Sequence, residues 1–164
     1  KRVGPSFEVH MLLALLQEPS TVVILDRGFG PEEAANTEAL LQNIKKHGYM
    51  VQEDTFSQAA QNSPLSWGVL ALETRMDEIG SLIANGDEFI GYDSACQHMA
   101  AALETPCITI FAGSNNMRFI RRWSAFSNNN SQIVHADTLN HPLGVDDQDI
   151  VTRAMHLRQS YAGR

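Results

Sequence analysis

The sequence predicts an α/β fold in which a mainly parallel sheet of about six strands is covered by helices on both faces. Two observations carry this reading. Short β-branched or apolar runs recur along the chain, separated by segments whose apolar residues fall at helical spacing. Gly, Pro and Asn punctuate most of the joints between them. Alternation at this spacing builds βαβ units, and in such sheets ligands gather beyond the carboxyl ends of the strands.

In order, residues 6–17 (SFEVHMLLALLQ) read as a helix stopped by Pro19. Nearly every side of it is apolar, which suggests that it packs against something outside residues 1–164. Residues 21–25 (TVVIL) form a buried strand. Asp26-Arg27-Gly28-Phe29-Gly30 follows, and Pro31, Glu32 and Glu33 open a helix over residues 32–47, which Gly48 ends. Residues 50–56 give a second strand that carries Gln52, Glu53 and Asp54, and residues 57–66 a short helix or loop. A third strand covers 69–72, and an amphipathic helix covers 76–85. Residues 88–111 read as strand, sharp turn, small-residue helix and strand. Beyond them lie a loop at 113–116, a short helix at 117–126 and a turn at 128–131. A strand at 132–135, an irregular stretch at 137–144 and a closing helix at 146–161 complete the chain.

The 164 residues suit one domain, 43% hydrophobic and able to bury a substantial core. The net charge of −7 argues against nucleic acid as a partner. Cys96 and Cys107 make no disulfide framework, which favours a reducing, cytoplasmic setting. No apolar run is long enough to span a bilayer, which leaves peripheral association with the inner membrane face as the form of membrane contact to consider. The start at Lys1, with a helical segment almost at once, suggests that residues 1–164 are a single domain cut from a two-domain protein.

The candidate site centres on Asp93-Ser94-Ala95-Cys96-Gln97-His98. A helix N-terminus offers N–H groups without intrahelical partners and the positive end of the macrodipole, so it attracts anions. Ser94 and His98 are four apart and share one helix face. Ala100, Ala101 and Ala102 would let that helix lie close on the sheet. An ordinary capped helix with His98 at its edge accounts for the same residues. Gly28 and Gly30 permit close approach of a ligand, or simply make a tight strand-to-helix turn. Glu33 stands where a dinucleotide fingerprint would need a third glycine. Arg118, Arg121 and Arg122 either hold a phosphate or carboxylate or form a solvated basic face. Cys96, His98, His135 and Asp137 are too short-spaced and too scattered to argue for a metal. Cys96 is a reactive thiol or a packing residue, and Ser94 lacks the setting of a hydrolase nucleophile.

Residues 72–111 resemble the C-terminal domain of glycosyltransferase family nine, the ADP-heptose:lipopolysaccharide heptosyltransferases. That family carries a pattern close to L-I-x-x-A-D-x-x-I-G-x-D-S-G-x-x-H-x-A-A-A-x-x-T-P. It is matched at Leu82, Ile83, Asp87, Ile90, Gly91, Asp93, Ser94, His98, Ala100, Ala101, Ala102, Thr105 and Pro106 with unbroken spacing. Ala95 replaces the family glycine, Arg27 is the one cation near the first strand's end, and Phe111-Ala112-Gly113-Ser114-Asn115-Asn116 replaces a Phe-Gly-x-Thr loop.

The resemblance implies a Rossmann-like three-layer α/β/α sandwich, the C-terminal half of a GT-B fold. It also implies an inverting transferase whose donor is a nucleotide-diphosphate sugar such as ADP-heptose, with no dedicated metal or cofactor. Asp93, Ser94, Ala95, Cys96 and His98 would bind the donor diphosphate, bordered by Gly28 and Gly30. Glu73 and Thr74 would lie near the nucleoside, with Arg27 and Arg118 as phosphate-binding candidates. The acceptor-binding domain, with the base, would lie N-terminal to this chain, so the chain alone is expected to bind and not to catalyse. A non-catalytic sugar-nucleotide-binding module and a sugar-nucleotide epimerase domain are the competing readings.

Overall fold

The computed structural model describes residues 2–62, 64–126, 131–139 and 145–162. Of the turn read at 128–131, residues 128–130 lie outside the described residues and Ser131 begins a strand; most of the irregular stretch, 140–144, lies outside them too. Strands and helices alternate throughout, and the chain divides into two compact units, Pro5–Glu78 and Ile79–Arg164 with Lys1–Gly4.

The first unit holds α1 (Pro5–Leu16), β1 (Val22–Asp26), α2 (Pro31–Lys46), β2 (Val51–Thr55), α3 (Phe56–Ala59) and β3 (Gly68–Glu73). Its sheet runs β1-β3-β2, with both pairings parallel, from Val22 opposite Gly68 and Val51 opposite Val69. The core joins Leu12 and Leu16 of α1, Leu40, Leu41 and Ile44 of α2, and Val69 and Ala71 of β3. The all-round apolar character of α1 is accounted for within the chain, because Phe7, Met11, Leu12, Leu15 and Leu16 are all buried. Trp67 donates its indole N–H to the Leu16 carbonyl at 3.1 Å and meets the Tyr49 ring edge-on at 5.2 Å. The polar residues of β2 have partners: Glu53 pairs with Lys45 at 2.9 Å and Asp54 accepts from Gln52 and Asn62. The short helix expected somewhere in 57–66 is the one turn of α3, started by a capping box between Thr55 and Gln58.

The second unit is built on α4 (Met76–Asn85, which begins just before it), β4 (Phe89–Tyr92), α5 (Ala95–Ala102), β5 (Cys107–Ala112), α6 (Met117–Trp123), β6 (Ser131–Ala136) and α7 (Asp147–Ala162). Its sheet runs β4-β5-β6, again parallel, with Phe89 opposite Cys107 and Cys107 opposite Ser131. Every residue of β5 is buried. Ala100 and Ala101 are buried as the small-residue stretch suggested, whereas Ala102 is exposed. Thr105 explains part of the Thr-Pro signature: it is buried and its hydroxyl donates to the Ile83 carbonyl at 2.9 Å, tying the end of α5 to α4. Ile150, Val151 and Ala154 of α7 are buried, and Arg158 pairs with Glu88.

The α/β class and parallel pairing agree with the sequence, and the strand order adds what it could not supply. In place of one sheet of about six strands there are two of three, with β3 between β1 and β2. Runs of β-branched residues mark a strand but leave its neighbours open, since parallel partners come from distant parts of the chain.

Burial raises the Cys107 thiol above its ordinary pKa, a shift only partly opposed by hydrogen bonds with Thr109 and Ser131. A raised folded-state pKa means stability present below the unfolded thiol's value and lost as pH rises through the folded one. Above about pH 8.5 the chain should therefore lose stability toward urea, by at most about 1.4 kcal/mol per pH unit from this group. Cys107→Ala should show a shallower decline than the natural sequence in the same denaturation series. Parallel declines would show that Cys107 contributes nothing to it.

Candidate functional site

The candidate residues lie in the loops that leave the carboxyl ends of the strands or in the elements next to them: Glu73 ends β3, Ala95, Cys96 and His98 lie in α5, and Arg118 lies in α6. In the first unit the loops are 27–30 after β1 and 74–75 after β3, and in the second 93–94 after β4 and 113–116 after β5.

Gly28 and Gly30 both have positive φ, 76° and 92°. The turn folds back on α2, where the Phe29 N–H donates to the Glu33 carboxylate at 2.6 Å. A Cβ on Gly28 would lie 2.6 Å from a Glu33 carboxylate oxygen, so glycine is required by conformation and by space. The start of α2 thus already carries carboxylates, Glu32 and Glu33, in its first turn. They complement the positive helix end and repel a second anion.

Arg27 is bound up in the same neighbourhood. Its guanidinium lies 3.1 Å from Glu53 and 4.0 Å from Glu38, so its charge is shared with carboxylates. Thr74 donates its hydroxyl to Asp26 at 2.5 Å, and Gly28 N–H donates to the other Asp26 oxygen at 3.3 Å. Arg27, Gly28 and Thr74 are thereby brought together around Asp26, with Glu73 exposed at the end of β3. Asp26 was not singled out in the sequence, where a lone carboxylate after a strand gives no signal.

In the second unit Ser94 is the N-cap of α5, its hydroxyl accepting from the Cys96 N–H at 3.3 Å. The first turn of α5 carries no acidic side chain. Ser94, Ala95 and His98 are exposed at this terminus, and Cys96 is half-buried. Ala95 does not have positive φ, so alanine sits at the family's glycine position without strain.

Gln97 organises the turn from within. It is fully buried, and its amide N–H₂ donates to Asp93 at 2.8 Å and to the Trp123 carbonyl at 3.1 Å. Two acceptors on one end of the amide fix its orientation. No role for Gln97 was legible in the sequence, although its spacing of four from Asp93 was a signal that the two could meet. Arg118 is exposed at the start of α6, its N–H held by the Asn116 cap at 3.0 Å. In the 113–116 loop, Asn115 donates to Asp137 at 2.8 Å and Gly113 N–H to Thr138 at 2.8 Å. His135 is held at 2.8 Å from the Ser114 carbonyl, which commits it to the loop. Among the described residues no three His, Cys, Asp or Glu side chains converge as a metal ion requires. A cleft of about 320 Å³ lined by Glu8, His10, Asn36 and Asn43 among others includes none of the candidate residues.

The sequence profile of glycosyltransferase family 9 (heptosyltransferase) matches residues 39–146, well over half of the chain. The chain belongs to glycosyltransferase family 9. Lipopolysaccharide heptosyltransferase 3 of Escherichia coli strain K12 is 38% identical over 71 residues, 43% of this chain and 20% of that protein. A second lipopolysaccharide heptosyltransferase 3, also from Escherichia coli, is 40% identical over 68 residues, 42% of this chain and 19% of its own length. The alignments thus span about a fifth of these family 9 relatives. No solved structure matches the chain. The family match takes in α5 and both of the units' β-strand ends from β2 onward, while Gly28 and Gly30 lie ahead of it.

Gln97→Leu keeps the side chain's volume but leaves the Trp123 carbonyl and Asp93 without its two hydrogen bonds. The variant should lose about 1 kcal/mol in urea denaturation, since the loss of two part-buried hydrogen bonds is partly offset by removing the buried Gln97 Oε1, which has no hydrogen-bond partner among the described residues. Unchanged stability would mean that the bridge does not hold the turn.

Proposed function

We propose that this family 9 chain supplies the donor-binding part of an inverting glycosyltransferase, with α5 receiving the diphosphate of a nucleotide sugar. The observation that carries this is the contrast between two helix starts. The α2 terminus is occupied by its own Glu32 and Glu33, whereas α5 begins with Ser94, Ala95 and an exposed His98 and no carboxylate in the first turn. The names of the relatives, lipopolysaccharide heptosyltransferases, point to an ADP-heptose-like donor and to a lipopolysaccharide acceptor.

In this reading the acceptor hydroxyl attacks the anomeric carbon as the bond to the diphosphate oxygen breaks. The hydroxyl proton passes to a base on an N-terminal acceptor domain of a GT-B protein. The N–H groups of α5, the Ser94 hydroxyl and His98 stabilise the charge that gathers on the leaving diphosphate. Within the same unit Arg118, exposed and without an ion pair among the described residues, meets phosphate. No metal or cofactor is required, the location is cytoplasmic, and the chain alone binds donor without turning it over.

A second reading, a sugar-nucleotide-binding module without transfer activity, is favoured by Arg27. Its ion pairs with Glu53 and Glu38 divert the one cation after β1 away from a ligand.

Saturating ADP should raise the thermal midpoint of this chain by several degrees, since a hundredfold excess over Kd stabilises by about 2.7 kcal/mol. Ala95→Glu discriminates binding from folding. A carboxylate in the first turn should leave stability equal or slightly higher by the helix-dipole effect, yet abolish the ADP-induced shift. His98→Ala should weaken ADP about tenfold. An ADP shift that survives Ala95→Glu would place the phosphate elsewhere, and no shift with any nucleotide would remove the donor-site reading.

A further inference from the structure

One surface of the second unit enters this chemistry only through Arg118. Between Glu104 and Asp137 the sequence has no Asp or Glu, yet it carries Arg118, Arg121 and Arg122 within five residues of α6. The rest of the chain is acidic enough to bring the net charge to −7. All three arginines are exposed, and none has an ion pair among the described residues. At about 100° per residue, Met117, Arg121, Arg118 and Arg122 fall on one arc of about 140°, turned away from the buried Ile120.

Apolar side chains stand beside these charges. Phe126 is 93% exposed, Met117 60% and Trp123 48%, and the Arg122 guanidinium lies 6.0 Å from the Trp123 ring centroid. Isolated exposed apolar residues need no explanation, but three grouped with three unpaired cations form a surface with both chemistries. A cationic face is complementary to phosphate head groups, and Met117, Trp123 and Phe126 are the side chains that enter the boundary between head groups and acyl chains. A nucleic acid would answer the arginines but would extend its charge over the surrounding acidic surface, and it offers nothing to Met117.

We propose that α6 and Phe126 form a docking surface for an anionic phospholipid bilayer, which holds the protein on a membrane without crossing it. Electrostatic attraction brings the face to the surface, and Phe126 and Trp123 anchor it there. Arg118 is shared with the proposed diphosphate site, whereas Arg121, Arg122 and Phe126 have no role there.

The test is sedimentation of the purified chain with vesicles, either half phosphatidylglycerol and half phosphatidylcholine or phosphatidylcholine alone. The chain should partition onto the anionic vesicles, less so at high ionic strength, and should ignore the neutral ones. Arg121→Gln with Arg122→Gln should reduce partitioning about thirtyfold, from roughly fivefold per arginine. Arg121→Lys with Arg122→Lys should retain it, and Phe126→Ser alone should cost about tenfold or more. The thermal response to ADP should be the same in all four proteins. The proposal is overturned by absence of binding to anionic vesicles, by equal binding to neutral vesicles, by indifference to the glutamine pair, or by a preference for single-stranded oligonucleotide over vesicles.

Discussion

Strand β5 constrains everything around it in the second unit. It is paired on both sides, by β4 and β6, and all six of its residues are buried. A strand enclosed in this way has no freedom to slip, because a one-residue shift would reverse the side chains on both faces. The turn before α5 and the loop before α6 leave the same edge of this sheet, at the ends of β4 and β5. Gln97 then joins them: its buried amide holds Asp93 from one loop and the last residue of α6 from the other. The exposed face at Ser94, Ala95 and His98 is therefore presented by a rigid frame, as a site that must receive a charged group without reorganising requires.

The two strand-to-helix turns of the chain look alike in sequence and differ in charge. Both place small residues before a helix start. At α2 the helix supplies its own anion, with Glu33 accepting the Phe29 N–H and filling the space above Gly28. At α5 the Ser94 cap is neutral and the first turn has no carboxylate. Half an elementary charge at a helix end is modest, and one acidic side chain in the first turn is enough to answer it. That difference is the ground for proposing α5 as the diphosphate's place, whereas the glycine turn after β1 has a tight geometry that serves the chain itself.

Much of the fold was legible in the sequence, because β-branched runs such as 21–25 and punctuation such as Gly30-Pro31 act locally. Element ends lie within a few residues of those read from the pattern. Pairing was not legible, since nothing local to residues 68–73 says that they separate β1 from β2. The start of α5 could be found, because capping chemistry and family spacing coincide at Asp93 and Ser94. The partners of Gln97 and Arg27 were not legible. Nothing local to a glutamine in a helix says that the Trp123 carbonyl, distant in sequence, lies within its reach. Nothing local to Arg27 says that Glu53 of β2 lies 3.1 Å away.

Which helix start meets the phosphate decides between the two turns. Backbone amide resonances report this directly, since an N–H that gains an anionic acceptor shifts on titration. With ADP added to the isotopically labelled chain, the amides of Ala95, Cys96, Gln97 and His98 should move together and saturate at a common concentration, with those of Glu32, Glu33 and Ala34 unmoved. Saturating shifts at the start of α2 with α5 unaffected would contradict the assignment of the diphosphate to α5.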